Sequence, residues 1–163
     1  MLAAGQLDVV LSTLDYPADE TGLTSIPLTS VEQAVVLPPD SPLLANHSLS
    51  IGDIESLSWV LYGGDKHNEQ WLNHYFFEHS LGTPKVTLRT SSFSTGIEMV
   101  RHGATVMMAP LQLRTYVHSF GLEVRPVDPP ISQRKAGIYT RPSLVGLGVI
   151  NRLIELLRQE CSS

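Results

Sequence analysis

Cysteine is nearly absent: the 163 residues contain one, Cys161, in the last three positions. One thiol excludes an intramolecular disulfide and fits a reducing compartment, so a cytoplasmic location is expected. No apolar run approaches the ~20 residues that span a bilayer, and no membrane partner is expected. The opening Met1-Leu2-Ala3-Ala4-Gly5-Gln6-Leu7-Asp8 lacks a basic region and meets Asp8 too early for a signal-peptide core. The sequon Asn46-His47-Ser48 would matter only in a secreted protein and is taken as chance. Basic charge is short as well. Eleven Lys and Arg against sixteen Asp and Glu give a net charge of −5. A surface of that sign repels phosphate, so this stretch is not expected to grip nucleic acid by itself. Internal repeats and low-complexity segments are missing. With 42% hydrophobic and 17% charged residues, the chain suits one soluble domain, or two small lobes that share chain segments, and not a collagen, coiled coil, disulfide scaffold or disordered segment.

Catalytic and metal signatures are equally scarce. No G-x-S-x-G elbow exists. Gly63-Gly64-Asp65-Lys66 lacks Walker spacing, and Gly146-Leu147-Gly148 lies in a helical pattern without a third glycine. His67, His74 and His79 share one segment, but their i+7 and i+5 spacings do not make the i, i+4 pair of a helical zinc site. They read as a solvated or partly packed helix face, while His47, His102 and His118 are scattered. The expectation is a non-enzyme with no cofactor and no metal.

What the sequence does contain is short apolar strands alternating with amphipathic helices. Leu7-Asp8-Val9-Val10-Leu11-Ser12-Thr13 is a compact, β-branched run ending in hydroxyls, which suits a buried strand. Turn residues and acids from 14 to 24 argue for a loop. Residues 26–37 read as a long strand stopped by Pro38-Pro39. Ser50 with Asp53 three residues on resembles a capping box for a helical turn through Ile51, Ile54 and Leu57. Ser58-Trp59-Val60-Leu61-Tyr62 follows as a strand. Asn68 or Asp65 then caps a helix that carries the stripe Trp71, Leu72, Tyr75, Phe76 and His79, with Gly82 as its C′ glycine. The aromatics of that stripe read as core, with a subunit interface as the alternative.

Lys85-Val86-Thr87-Leu88-Arg89-Thr90 alternates with period two. Ser91-Ser92-Phe93-Ser94-Thr95 precedes a helix with Ile97 and Val100, closed by Gly103, and residues 104–109 form an apolar strand. Pro110 starts a helix through Leu113, Tyr116 and Val117. After a proline-rich turn come the strand of residues 136–140 and a terminal helix capped by Ser143, with Leu147, Ile150, Ile154 and Leu157 on one face. The class is α/β with a largely parallel sheet. Boundaries near Leu37 and Pro126 divide the chain into a lobe of residues 1–35 with 126–163 and a second lobe of residues 36–125.

Several strings in order resemble the effector-binding domain of LysR-type transcriptional regulators. Leu2-Ala3-Ala4-Gly5-Gln6-Leu7-Asp8-Val9-Val10-Leu11 is similar to the family's L…G-x-L-D-hydrophobic entry. Val35-Val36-Leu37-Pro38-Pro39-Asp40-Ser41-Pro42-Leu43 is similar to its hinge string, with Ser41 in the usual histidine place. Ser50-Ile51-Gly52-Asp53-Ile54 precedes Trp59, and Val100-Arg101-His102-Gly103-Ala104-Thr105-Val106-Met107-Met108-Ala109-Pro110 is close to V-x-x-G-x-G-V-x-h-h-P, with Thr105 where glycine is common. The resemblance implies a two-lobed, periplasmic-binding-protein-like (type 2) fold. It also implies a small-molecule effector, a homodimer or tetramer, and DNA contact only through an N-terminal helix-turn-helix that does not precede Met1. On that reading the chain is a truncated or partial frame, with lobe I incomplete at its start.

Residues 91–95 are the main candidate site. Hydroxyls and free N–H groups at a helix start can hold an anion, although ordinary N-capping uses the same residues. The resemblance implies that Ser91, Ser92 and Phe93 face the effector cleft together with Ser12 and Thr13, and ligands of open α/β sheets bind at strand carboxyl ends. Tyr62, Gly63, Ala109 and Pro110 would add walls, or else serve as ordinary turns. Two rival readings remain: a transport-type solute-binding protein, and a dehydratase- or deaminase-like enzyme on a related two-lobed fold, which would need a cleft acid or base.

Overall fold

The computed structural model describes residues 1–15, 22–63 and 67–161, so Gly64, Asp65 and Lys66, and with them the Asp65 cap, lie outside the described residues. The chain forms two units: Met1–Val31 with Arg134–Ser163, and Glu32–Gln133.

The second unit is a sheet covered on both faces. Its strands are the latter part of β2 (Thr24–Leu37), β3 (Ser58–Tyr62), β4 (Lys85–Thr90), β5 (Val106–Pro110) and β6 (Glu123–Arg125). They neighbour one another in the order β6, β2, β5, β3, β4. Only β3–β4 and β3–β5 are parallel, whereas β2 is antiparallel to both β5 and β6. The expected largely parallel sheet is thus corrected to a parallel trio flanked by antiparallel pairs. Successive side chains of these apolar strands go to opposite faces, which is why the runs lack polar alternation. Val35, Leu37, Trp59, Leu61, Val106 and Met108 pack with Ile54 of α1 (Ile51–Glu55) and with Leu72, Tyr75 and Phe76 of α2 (Asn68–Glu78). Ala34, Val36, Val60, Met107 and Ala109 pack with Ile97 and Val100 of α3 (Phe93–His102) and Val117 of α4 (Arg114–His118). The strand β4 has exposed and half-buried residues in alternation, as its period-two sequence requires.

Helix ends follow local chemistry, with four corrections. The Ser50–Asp53 capping box forms: the Ser50 N–H donates to Asp53 Oδ2 at 2.8 Å and the Asp53 N–H donates to Ser50 Oγ at 3.4 Å. Asn68 does not cap α2. It is the first helical residue, and its buried side chain donates to the Tyr62 carbonyl at 3.3 Å instead. Gly82 does not end that helix either. Ser80 takes the left-handed position with φ 54°, while Leu81 N–H donates to Phe76 O and Ser80 N–H to Phe77 O, a Schellman pairing. Pro110 closes β5 and a 3-10 turn, Leu111–Leu113, separates it from α4. At the far end of α3, Gly103 has an ordinary φ, yet a Cβ there would lie 2.8 Å from Met99 O.

In the first unit, β1 (Val9–Thr13) pairs antiparallel with β7 (Gln133–Thr140), and Ile138 packs on Ile150 and Ile154 of α5 (Gly148–Cys161). Ser143 sits in a separate 3-10 turn, Pro142–Leu144, and the ladder of α5 begins with Asn151 N–H on Leu147 O, so the expected Ser143 cap does not form. Gly137 admits no side chain, since a Cβ would collide with the Ile26 carbonyl and come within 2.9 Å of Pro27 Cα. Arg141 ties down the N-terminal stretch by donating to Leu2 O, Leu7 O and Asp8 Oδ1 at 3.0, 2.7 and 2.6 Å.

Candidate functional site

Because β3 is parallel to both β4 and β5, the carboxyl ends of these three strands share one edge of the second unit. That edge carries Tyr62 at the end of β3 and Gly63 just after it, Ser91, Ser92 and Phe93 after β4, and Pro110 at the end of β5. Gly63 N–H donates to Thr90 O at 2.8 Å and draws the β3 and β4 ends together. The turn into α3 is built from hydroxyls. Ser92 N–H donates to Thr90 Oγ1 at 3.1 Å, and Ser92 Oγ accepts from Thr95 N–H at 3.3 Å and lies 3.0 Å from Ser94 Oγ. Ser92 is therefore an N-cap, while Ser91 is exposed.

The helix can seat on the sheet here because residue 96 is glycine: a Cβ at Gly96 would meet Met107 Sδ at 2.5 Å. Aromatic rings continue the edge. Tyr62 meets Phe93 edge-on with centroids 5.6 Å apart, and Phe93 lies 6.2 Å from Tyr116, which is 48% exposed. Ala109 is fully buried in the core under α3, so it shapes the edge through packing and not through its surface.

Ser12 and Thr13 belong to the first unit. Thr13 Oγ1 donates to Asp15 Oδ2 and accepts from Arg134 at 3.2 Å, and the same guanidinium pairs with Asp15 at 3.0 Å. Ser12 is exposed beside a cavity of about 170 Å³ lined by Leu11, Leu28, Ala136 and Cys161 among others.

Two buried amides of the second unit have roles that the sequence did not reveal. Gln33 is 2% exposed, stands opposite Pro110 in the β2–β5 register, and its Oε1 has no hydrogen-bond partner among the described residues. Asn68 Oδ1 is likewise buried without a partner, although its Nδ2 holds the end of β3. An amide inside the apolar run of residues 31–37 was the available signal for Gln33. Arg89 of β4 donates to Glu69 Oε1 at 2.5 Å, and that guanidinium holds the Glu69 carboxyl below its usual range. The six residues on this edge therefore present hydroxyls, backbone and rings. Such a surface can hydrogen-bond and enclose a ligand, and it offers no positioned acid or base.

Among the described residues no group of three or more His, Cys, Asp or Glu could hold a metal ion, and no helix is long and apolar enough to cross a membrane. The stripe on α2 is core for Tyr75 and Phe76 and partly so for Trp71, whereas Phe77 beside it is 82% exposed.

The chain is thus a mixed α/β protein in two units, and its second unit carries a strand edge with hydroxyls at the start of α3. The LysR substrate-binding domain model matches residues 1–162, and the chain belongs to that family, whose fold is periplasmic-binding-protein-like, type 2. The reduced regulatory domain of OxyR from Pseudomonas aeruginosa is similar at 25% identity and a TM-score of 0.76, over 97% of this chain and 75% of that one. Full-length OxyR C199D from the same organism is 25% identical with a TM-score of 0.75, over 99% of this chain and 53% of that one. The effector-binding domain of QuiR, solved in complex with shikimate, shares the fold at 15% identity, a TM-score of 0.72, and 99% and 75% coverage. No curated protein sequence matches the chain. The chain is a LysR-type effector-binding regulatory domain, and the transport and enzyme readings are not favoured.

Proposed function

We propose that this domain senses a small organic anion, held by hydrogen bonds from the Ser91 and Ser92 region and enclosed by Tyr62, Gly63, Phe93 and Pro110. The observation that carries this reading is the hydroxyl-rich start of α3 at the shared carboxyl edge of three parallel strands. The six described residues of this edge carry no carboxylate, so an anion meets their N–H and O–H donors. The domain works as a binding module without catalysis, in the cytoplasm, as a homodimer or tetramer. Effector binding alters DNA binding carried by a separate helix-turn-helix segment, an energetic coupling between two sites.

Calorimetric titration with a panel of small carboxylates, shikimate included, tests the site. A ligand present at 100 times its Kd should raise the unfolding free energy by about 2.7 kcal/mol. Ser91→Ala with Ser92→Ala should weaken that ligand by about tenfold or more, as loss of hydrogen bonds to a charged group does. Unchanged affinity in the double variant removes these residues from the site.

A further inference from the structure

The second unit contains a larger cavity at the opposite end of α3. Its volume is about 460 Å³, within the range of roughly 300–1,000 Å³ typical of small-molecule sites. It is lined by Asp40 and Ser41 from the segment after β2, Leu57 before β3, and Arg101, His102 and Thr105 between α3 and β5. These positions lie at the amino ends of β3 and β5, whereas the candidate effector edge lies at their carboxyl ends. The ten residues of α3 separate the two by about 15 Å.

Charges of both signs line this cavity without neutralising each other. Glu98 holds Arg101 Nη1 at 3.4 Å and His102 Nε2 at 3.2 Å, and Glu98 itself is not among the lining residues. The guanidinium keeps further N–H donors, and its place in the last turn of α3 suits a cation. Asp40 forms no ion pair or hydrogen bond among the described residues and lies beyond 4.0 Å of the Arg101 and His102 side-chain nitrogens.

The walls are fixed before any ligand arrives. Gly103 is forced by its approach to Met99 O, Thr105 Oγ1 donates to that same carbonyl at 3.1 Å, and Ser41 Oγ accepts from Leu43 N–H at 3.3 Å. Leu57, Val106 and the two prolines 38 and 42 add apolar lining.

A dianion entering this cavity is repelled by Asp40, and a dication by Arg101. A molecule with a carboxylate at one end and an ammonium at the other satisfies both. We propose that this cavity binds a small zwitterion of the amino-acid class, its carboxylate on Arg101 and its ammonium on Asp40, as a site separate from the effector edge.

The test is a titration of the full chain with 4-aminobutyrate, followed by backbone amide correlation spectra. Succinate and 1,4-diaminobutane serve as probes of similar length with two like charges. The expected result is saturable movement of the Ser41, Gly103 and Thr105 amides with 4-aminobutyrate below about 20 mM and none with the other two. Arg101→Gln and Asp40→Asn, both exposed substitutions, should each weaken binding at least about fivefold, while Ser91→Ala leaves it unchanged. Absence of movement at those three amides, equal movement with succinate, or affinity unaffected by both variants overturns the proposal.

Discussion

At the residue scale, Gly137 and Ser80 occupy positions where backbone geometry selects the side chain. Any Cβ at 137 runs into the Ile26–Pro27 backbone, which cannot swing aside as a side-chain end can. Gly137→Ala should therefore cost at least about 2 kcal/mol, measured by urea unfolding, in the range of overpacked sites. Ser80 presents the reverse case, because a non-glycine residue holds φ 54° at the end of α2. Ser80→Gly should stabilise the protein by about 1 kcal/mol in the same assay, by removing the Cβ penalty of the left-handed region.

Single residues were legible in sequence when a reciprocal partner stood nearby, as for Ser50 and Asp53, or when one residue type had one use, as for Ser92. Asn68 misled because its amide serves a neighbouring strand, and Gly82 because a serine two residues earlier had already turned the chain. Gln33 and Tyr116 matter through what surrounds them in space, and a lone sequence position carries little of that.

At the element scale, β3 and β5 were readable because they are apolar almost throughout, the pattern of strands covered on both faces, and β4 because it alternates with period two. Their relative directions were not readable, since hydrophobicity is the same for a strand run forwards or backwards. The three-residue β6 and the short α4 offer too few residues for a period to emerge.

Pairing at element ends also sets an acid sensitivity. Hydrogen bonds from Ser50 lower the Asp53 pKa, the Arg89 guanidinium lowers that of Glu69, and Arg125 lowers that of Glu123 with help from His118. Each carboxyl has a folded pKa below its unfolded one, so its contribution is complete above the ordinary carboxylate range and is lost as pH falls through the lowered folded values. All three are surface groups, and the effect of each is small. Unfolding midpoints should hold steady on this account above about pH 5 and decline below about pH 4. Asp53→Asn should cost about 0.5–1 kcal/mol at neutral pH and flatten part of that acid slope, as seen in urea midpoints measured across the pH range.

At the scale of the whole molecule, order along the chain told more than any one motif. Each LysR-like string is weak alone, yet their sequence over residues 2–110 agreed with the family model that matches residues 1–162. Tyr62 and Pro110 end β3 and β5 and Ser91 follows β4, and it is the parallel pairing, which the sequence did not reveal, that brings these ends to one side.

The two-unit division has a further consequence in time. Glu32–Gln133 is one continuous stretch, whereas the other unit joins Met1–Val31 to Arg134–Ser163. Bringing Val9 opposite Thr140 closes a loop of more than a hundred residues, an entropic cost of roughly 4 kcal/mol if the intervening chain is still unfolded. That cost shrinks once the inner stretch has condensed and its ends are held near each other. The inner unit should therefore acquire slow-exchanging amides first when refolding is followed by pulsed hydrogen exchange, with Trp59, Val60 and Met107 protected before Ile138 and Tyr139. During synthesis the same order is imposed by the ribosome: β1 must wait, unpaired with β7, until everything between them has emerged.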